Sequence, residues 1–236
     1  MLNNNFVIIV GGGSGTRMQS TTPKQFLDLC GQPILMHTIQ AFATCQSKPI
    51  VVVALNHSFK AQWLELCNQH LFDTSHIVVN AGQTRFHSVL NALTYIKENF
   101  LNLDHTYIAV HDGVRPLIDQ AIIDSGYREV ITHQALATAI TSKDSVRIRQ
   151  KDTYKSVDRD NVFLIQTPQF FSANIIINAY RQPYNKLFTD DASVVEKAGY
   201  PIQLINGDTR NIKITFAQDL IFAEALIKSS NFKLKR

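Results

Sequence analysis

Cysteine is scarce and unpatterned in this chain. The three residues Cys30, Cys45 and Cys67 are odd in number and include no C-x-x-C pair, which argues against a disulfide framework or a zinc knuckle and leaves reduced packing thiols. Long apolar runs are missing as well. No stretch approaches the roughly 18 residues of a membrane span, and the start, Met1-Leu2-Asn3-Asn4-Asn5, lacks the cationic region of a signal peptide. The expectation is a cytoplasmic protein with no membrane partner. Charge of one sign is also sparse: 23 Lys and Arg against 19 Asp and Glu leave a net charge of +4. The basic run Lys233-Leu234-Lys235-Arg236 reads as a solvated tail, so no nucleic-acid partner is expected. The eight histidines contain no H-x-x-x-H pair, the spacing that puts two metal ligands on one helical face.

What is present is a core-forming composition. With 236 residues, 45% hydrophobic and 18% charged, the chain suits a globular domain rather than a disordered one. No repeat, low-complexity tract or linker divides it, and residues 1–236 read as a single domain. Short β-branched runs at 6–10, 50–54, 77–80, 107–111, 136–140, 163–166 and 202–205, with a last one at 212–215, predict strands. Between them, helical spacing predicts helices over 33–45, 59–69, 85–99, 119–133, 172–180, 191–198 and 216–228, with Pro33 in a first turn and Gly199 as a stop. This alternation predicts an α/β fold, a Rossmann-like, doubly wound and mostly parallel sheet that binds its ligand at the carboxyl ends of the strands.

The densest signal is Val7-Ile8-Ile9-Val10-Gly11-Gly12-Gly13-Ser14-Gly15-Thr16-Arg17-Met18, followed by Pro23-Lys24-Gln25. A buried-type strand runs into a glycine loop whose N–H groups can approach an anion, with Arg17 and Lys24 beside it. The loop is not a dinucleotide fingerprint, because a G-x-G-x-x-G frame from Gly11 ends at Thr16 and one from Gly13 ends at Met18. It is not a Walker A loop either, since Thr16 follows Gly15 and Val10 stands five residues before it. A nucleoside-triphosphate loop ending in arginine remains, against the plainer reading of a flexible turn.

Further constellations carry chemistry. Asp112, in VHDGVRP, falls at a strand end and is the best magnesium candidate, since Mg²⁺ is commonly held by one or two carboxylates together with phosphate oxygens; a turn cap is the alternative. In AGQTRFHS, Gly82 and Ser88 could read a base edge, although a glycine turn with Thr84 as N-cap explains the same residues. Arg159 and Thr167 are candidate phosphate holders or structural residues. Lys213, amid the β-branched residues of NIKIT, either meets an anion or points to solvent. The charged segment 141–161 is too long for a connecting turn and alternates around Val146-Arg147-Ile148-Arg149. It predicts a protruding β-hairpin arm suited to a second subunit, or else a solvated loop.

The motifs GGGSGTRM, PKQF, AGQTRFHSV, VHDGVRP, VDRDNVFLIQTPQFF, TDDASVVEKAG and NIKIT occur in one order from the first strand to the last helix. In that order the chain resembles the 2-C-methyl-D-erythritol 4-phosphate cytidylyltransferases of the non-mevalonate isoprenoid pathway. The resemblance implies transfer of a cytidylyl group from CTP to a small polyol phosphate with release of pyrophosphate, and a divalent cation such as Mg²⁺. It implies that Arg17 and Lys24 act on the triphosphate, assisted by Lys213. Gly11, Gly12, Gly13, Gly15, Gly82 and Ser88 would surround the nucleotide. Asp112 would lie at the metal and the acceptor, and Arg115, Ser145, Arg159, Thr167 and Thr189 would hold the acceptor, with the arm reaching across a homodimer. A phosphomonoester with its second pKa near ~6 is mostly dianionic at neutral pH, so its oxygen needs no general base to attack phosphorus.

The chain departs from the pattern mildly. Gly11-Gly12 stand for Ala-Ala, Val10 for proline and Ser145 for threonine, while His87 and Arg210 occupy positions where aspartate is common. A ribitol 5-phosphate cytidylyltransferase shares the glycine loop, PKQF, HD-x-V-RP and TPQ, and is the alternative within the class. A non-catalytic nucleotide-binding module is the alternative outside it.

Overall fold

The computed structural model describes residues 5–13, 22–100 and 103–229. Seven strands form the central sheet: β1 (Phe6–Val10), β4 (Ile50–Leu55), β5 (Ile77–Asn80), β6 (Tyr107–Asp112), β7 (Ala135–Thr141), β10 (Phe163–Ser172) and β11 (Gln203–Asn206). Their order is β11-β7-β10-β6-β1-β4-β5. All the pairings are parallel except those of β10, which runs antiparallel to β6 and β7. The doubly wound α/β expectation holds, with one reversed strand inside the sheet.

Helices cover both faces, which is why β1 is a continuous apolar run rather than an alternating one. Val7 and Ile9 point to one side, where α1 (Ile34–Ala43), α2 (Lys60–Gln69) and α4 (Gln120–His133) supply Leu35, Phe42, Trp63, Ile123 and Tyr127. Phe6 and Ile8 point to the other, against Phe86, Val89 and Leu93 of α3 (Arg85–Asn99), Ile176 of α5 (Ala173–Ala179) and Val194 of α6 (Asp191–Lys197). Phe6, Val7, Ile8 and Ile9 are all fully buried, each contributing roughly 1.5–3 kcal/mol. A smaller cluster of Leu29, Ile34, Val114, Leu117 and Ile214 lies beneath Ala223 of α7 (Ala217–Lys228). A short hairpin of β2 (Asp28–Leu29) and β3 (Gln32–Pro33), unpredicted, leads into α1, with Pro33 at the N-cap rather than inside the first turn. Gly199, at φ 92°, ends α6 as expected.

Two boundary expectations are corrected. The strand expected at 163–166 runs on to Ser172, because a register shift between Ile165 and Gln169 takes Pro168 out of the ladder. Proline is tolerated in a sheet at such an irregularity. The strand expected at 212–215 is absent: β11 already forms that edge, and Ile214 instead gives its N–H to Val114 O at 2.9 Å and buries its side chain under α7. The arm is present, with β8 (Val146–Gln150) and β9 (Thr153–Val157) pairing antiparallel as a separate two-stranded sheet.

Helix α4 meets β10 at a notch. A Cβ on Gly126 would lie 2.2 Å from Cε2 and Cζ of Phe170, a fully buried ring that also packs edge-on against Tyr127. Alanine would gain about 1 kcal/mol of helix propensity, whereas overpacking a rigid core costs about 1–3 kcal/mol. Gly126→Ala is therefore expected to lower unfolding stability by up to about 2 kcal/mol in a urea titration. An unchanged or raised midpoint would mean that the Phe170 ring has room to shift.

Candidate active site

The carboxyl ends of β1, β4, β5 and β6 bring distant sequence segments together. Gly11 gives its N–H to Ala54 O at 3.0 Å, and its carbonyl accepts from the buried Gln25 amide at 2.7 Å. Gln25 belongs to a 3₁₀ turn over Lys24–Phe26, whose Phe26 ring stacks on Trp63. That pairing ties Lys24 to the glycine loop by a residue that the motif reading did not assign. A Cβ on Gly12 would fall 2.4 Å from Ala81 Cβ, and 3.7 Å from Ser88 Oγ. Glycine is required at this close approach of the first loop to the β5–α3 turn. Gly11, Gly12, Gly82 and Ser88 are thus neighbours, as the nucleotide-site expectation needs. A Cβ on Gly13 would meet nothing within 4 Å among the described residues. Gly15 and Arg17 lie outside the described residues.

In the β5–α3 turn the Ser88 hydroxyl accepts from Gly82 N at 3.1 Å and donates to Thr84 O at 2.9 Å. Thr84 Oγ1 caps α3 by accepting from His87 N. The glycine turn and the N-cap are therefore both realised, and Ser88 is buried within them. A Cβ at Gly82 would meet His87 Cβ at 2.3 Å and its carbonyl carbon at 2.7 Å.

Asp112 ends β6 in register with Val10 of β1, one residue before the glycine loop. Three cations surround its carboxylate. Lys213 Nζ lies 2.9 Å from Oδ2, Arg115 Nε 3.5 Å from Oδ2 and Arg85 Nε 3.3 Å from Oδ1. Burial on its own would raise the Asp112 pKa, but Arg85, Lys213 and Arg115 override it and hold the carboxyl far below the usual range. Arg85 is itself anchored: its two terminal nitrogens donate to Asp191 Oδ1 and Oδ2 at 2.8 and 2.7 Å, and Tyr180 donates its hydroxyl to Asp191 Oδ1 at 2.6 Å. Arg115 donates from Nη1 to Asn211 O at 2.6 Å, which fixes the start of the NIKIT segment. The Asn211 amide holds Thr167 O at 2.8 Å.

Arg85, Asp112, Arg115 and Lys213 line a pocket of about 100 Å³ with Gln166, Thr167, Gln169, Thr189 and Asp190. Arg85, Arg115 and Lys213 against Asp112 and Asp190 leave the lining one positive charge in excess, with Asp191 buried behind Arg85 and outside the lining, which suits a phosphate-sized anion. Of the expected acceptor residues, Asp112, Arg115, Thr167 and Thr189 converge here, joined by Lys213. Ser145 and Arg159 do not: both are exposed near the arm, where Arg159 donates to Lys143 O at 3.3 Å. Within one chain the arm residues stay apart from the pocket. The motif reading also left Arg85, Tyr180, Asp191 and Asn211 without roles, although Arg85, Asp191 and Asn211 fall inside three of the quoted motifs.

His111 is fully buried behind the pocket. Its Nε2 faces Arg115 O at 3.1 Å and must donate, so Nδ1, 3.1 Å from Thr167 Oγ1, accepts. Thr167 Oγ1 in turn accepts from Asp112 N at 3.0 Å. Burial pushes the imidazole pKa down to about 4, with the Arg115 carbonyl and Asp112 opposing and the charges of Arg115 and Arg85 assisting. The unfolded chain takes up this proton below pH 6.5, while the folded chain does so only near 4. Stability is expected to fall as pH drops through that window, by on the order of 3 kcal/mol for His111. Imidazole NMR should show the His111 ring neutral at pH 5.5; titration of the folded protein near pH 6.5 would refute the assignment.

Residues 5–229 match the family described as IspD: 2-C-methyl-D-erythritol 4-phosphate cytidylyltransferase. A Phocaeicola vulgatus protein of that name is 42% identical over 224 residues, covering 95% of this chain and 100% of its own. A Porphyromonas gingivalis protein of the same name is 41% identical over 230 residues, covering 97% and 100%. The crystal structure of the Francisella tularensis protein of that name is 31% identical, with a TM-score of 0.74 over 94% of this chain and 99% of that one. The ordered motifs, the sheet and the cationic pocket beside its glycine loop agree with these matches along nearly the whole length, and the chain belongs to the 2-C-methyl-D-erythritol 4-phosphate cytidylyltransferase family.

Proposed function

We propose that this protein transfers a cytidylyl group from CTP to 2-C-methyl-D-erythritol 4-phosphate, forming 4-diphosphocytidyl-2-C-methyl-D-erythritol and pyrophosphate. The observation that carries the reading is the convergence of Arg85, Arg115 and Lys213 on Asp112, one register position from the glycine loop. The acceptor phosphate enters the positive pocket, and its oxygen attacks the α-phosphorus in line with departing pyrophosphate. The phosphate is already dianionic, and the imidazole of His111 is occupied at both nitrogens. Chemistry then rests on positioning and on stabilising charge in the transition state. Lys213, 40% exposed, is placed to move from Asp112 toward the incoming phosphate. Lys24 and Arg17 are assigned to the triphosphate, and Gly11, Gly12, Gly13, Gly15, Gly82 and Ser88 to the nucleotide.

Mg²⁺ fits this donor set in company with the triphosphate. Among the described residues no group of three His, Cys, Asp or Glu converges, and Mg²⁺ ordinarily combines one or two carboxylates with phosphate oxygens and water. Asp112 is the carboxylate assigned to it; the ion would neutralise triphosphate charge.

The arm is assigned to a homodimer that brings Ser145 and Arg159 to a partner's acceptor pocket, all within one catalytic domain per chain. Ile148 and Tyr154 on the hairpin, with Phe163 and Leu164 at the start of β10 beside its base, are each roughly half exposed or more and support this, since clustered exposed apolar side chains usually find a partner. No helix among the described residues is long and apolar enough to cross a membrane, and a cytoplasmic location is assigned on the pathway reading.

The direct test is pyrophosphate release from CTP and Mg²⁺ with methylerythritol 4-phosphate or ribitol 5-phosphate as acceptor. Preference for the first is expected. Preference for the second would reassign the acceptor, and CTP binding without turnover on either would favour a non-catalytic module. Lys24→Ala should lower kcat by on the order of 10²-fold while changing the KM for CTP far less; equal losses would make Lys24 a ground-state anchor. Light scattering should give twice the 26.6 kDa chain mass; a monomeric mass at assay concentration would remove the shared site.

A further inference from the structure

We propose that Arg85 is a positioning residue for the acceptor site: clamped by Asp191, it fixes the Asp112 carboxylate, which in turn presents Lys213 and Arg115 to the acceptor phosphate. This inference rests on the cytidylyltransferase reading and assigns a role to a residue of the β5–α3 motif that the nucleotide and acceptor assignments leave idle.

Three observations carry it. First, Arg85 directs Nε, Nη1 and Nη2 at carboxylates, Nε at Asp112 and the other two at Asp191. A bidentate guanidinium–carboxylate pair is the most geometrically specific of charge-assisted contacts. Lys213, by contrast, is a 40% exposed point charge on a flexible stem. An incoming phosphate dianion therefore draws Lys213 more readily than Arg85.

Second, the clamp is built into the fold. Asp191 is fully buried and also accepts from the Tyr180 hydroxyl, which is itself stacked on Phe86, the residue after Arg85. The preceding Asp190 caps α6 through Ser193 N and receives the amide of buried Gln169, whose carbonyl oxygen accepts from Ala192 N. The Asp191 end thus has its backbone and its carboxylate both held.

Third, Arg85 is the cation least able to leave Asp112. Its two terminal nitrogens are held by the buried Asp191, so when Lys213 turns to a bound phosphate a guanidinium stays beside the nearly buried Asp112 carboxylate, with or without a metal ion there, and that carboxylate is not left as an unpaired buried charge.

The test compares steady-state constants of wild-type, Arg85→Gln, Arg85→Lys, Asp191→Asn and Tyr180→Phe enzymes, each normalised to folded protein by circular dichroism. Arg85→Gln is expected to raise the KM for methylerythritol phosphate about tenfold or more, with the KM for CTP changing less than about twofold. Arg85→Lys, which keeps the charge and loses the fork, should recover only part of the loss. Asp191→Asn is expected to weaken acceptor binding even though Arg85 remains. Unchanged or tighter acceptor binding in Asp191→Asn would instead make Arg85 a direct phosphate ligand and overturn the proposal. A fall in kcat alone, or equal rises in both KM values, would also overturn it as a merely structural role. Should Arg85→Gln not fold, Tyr180→Phe decides, since it removes one oxygen and no ring contact: a rise of a few-fold in acceptor KM supports the clamp, and an unchanged value overturns it. A wild-type enzyme inactive with this acceptor would overturn the function reading itself, a failure separate from normal wild-type turnover with insensitive variants.

Discussion

A carboxylate placed where water is nearly excluded is the constraint around which the functional half of this molecule is arranged. Asp112 stands at the end of a fully covered strand, and desolvation on its own would drive it to the neutral acid. It stays ionised because Arg85, Arg115 and Lys213 reach it from the start of α3, the turn after β6 and the segment after β11. Breaking such a cluster by removing one partner is far more costly than its net contribution to stability suggests.

The same economy is visible on the nucleotide side. Gly12 and Gly82 are small because other chain segments occupy the space their side chains would fill, Ala81 in one case and His87 in the other. Glycine here is needed for close approach, and no flexible loop has to be invoked. Gln25 then carries the 3₁₀ turn bearing Lys24 to the same strand end through the Gly11 carbonyl. Lys24 is thus carried to this rim by a turn tied to the end of β1, on the side of the sheet where the glycine loop starts.

Legibility differed by the kind of signal. Buried parallel strands announce themselves as β-branched runs, so β1, β4 and β6 were readable almost to the residue, and helical spacing placed α3 and α4. Irregular segments were not. Pro168 reads as a strand breaker, and only the register shift beside it shows a strand that continues. Ile212 to Thr215 has strand composition, yet its burial comes from α7 and a single bond to Val114. In the site, Asp112, Arg115, Thr167, Thr189 and Lys213 were named from motifs and do share one pocket. Arg85, Tyr180, Asp191 and Asn211 went unassigned because their significance lies in partners up to 106 residues away in the chain.

The amino-acid sequence by itself determined the fold class, the glycine run at the first strand's end and the family, because these depend on local spacing and on motif order, while the choice between a hairpin arm and a solvated loop was settled by the β8–β9 pairing. Tertiary structure alone decided which charges neutralise which, that the His111 imidazole is held neutral behind the pocket, and that Ser145 and Arg159 stand away from the pocket of their own chain. Those outcomes depend on distances of about 3 Å between segments far apart in sequence, and electrostatic energy at such range follows burial and geometry that no local pattern encodes.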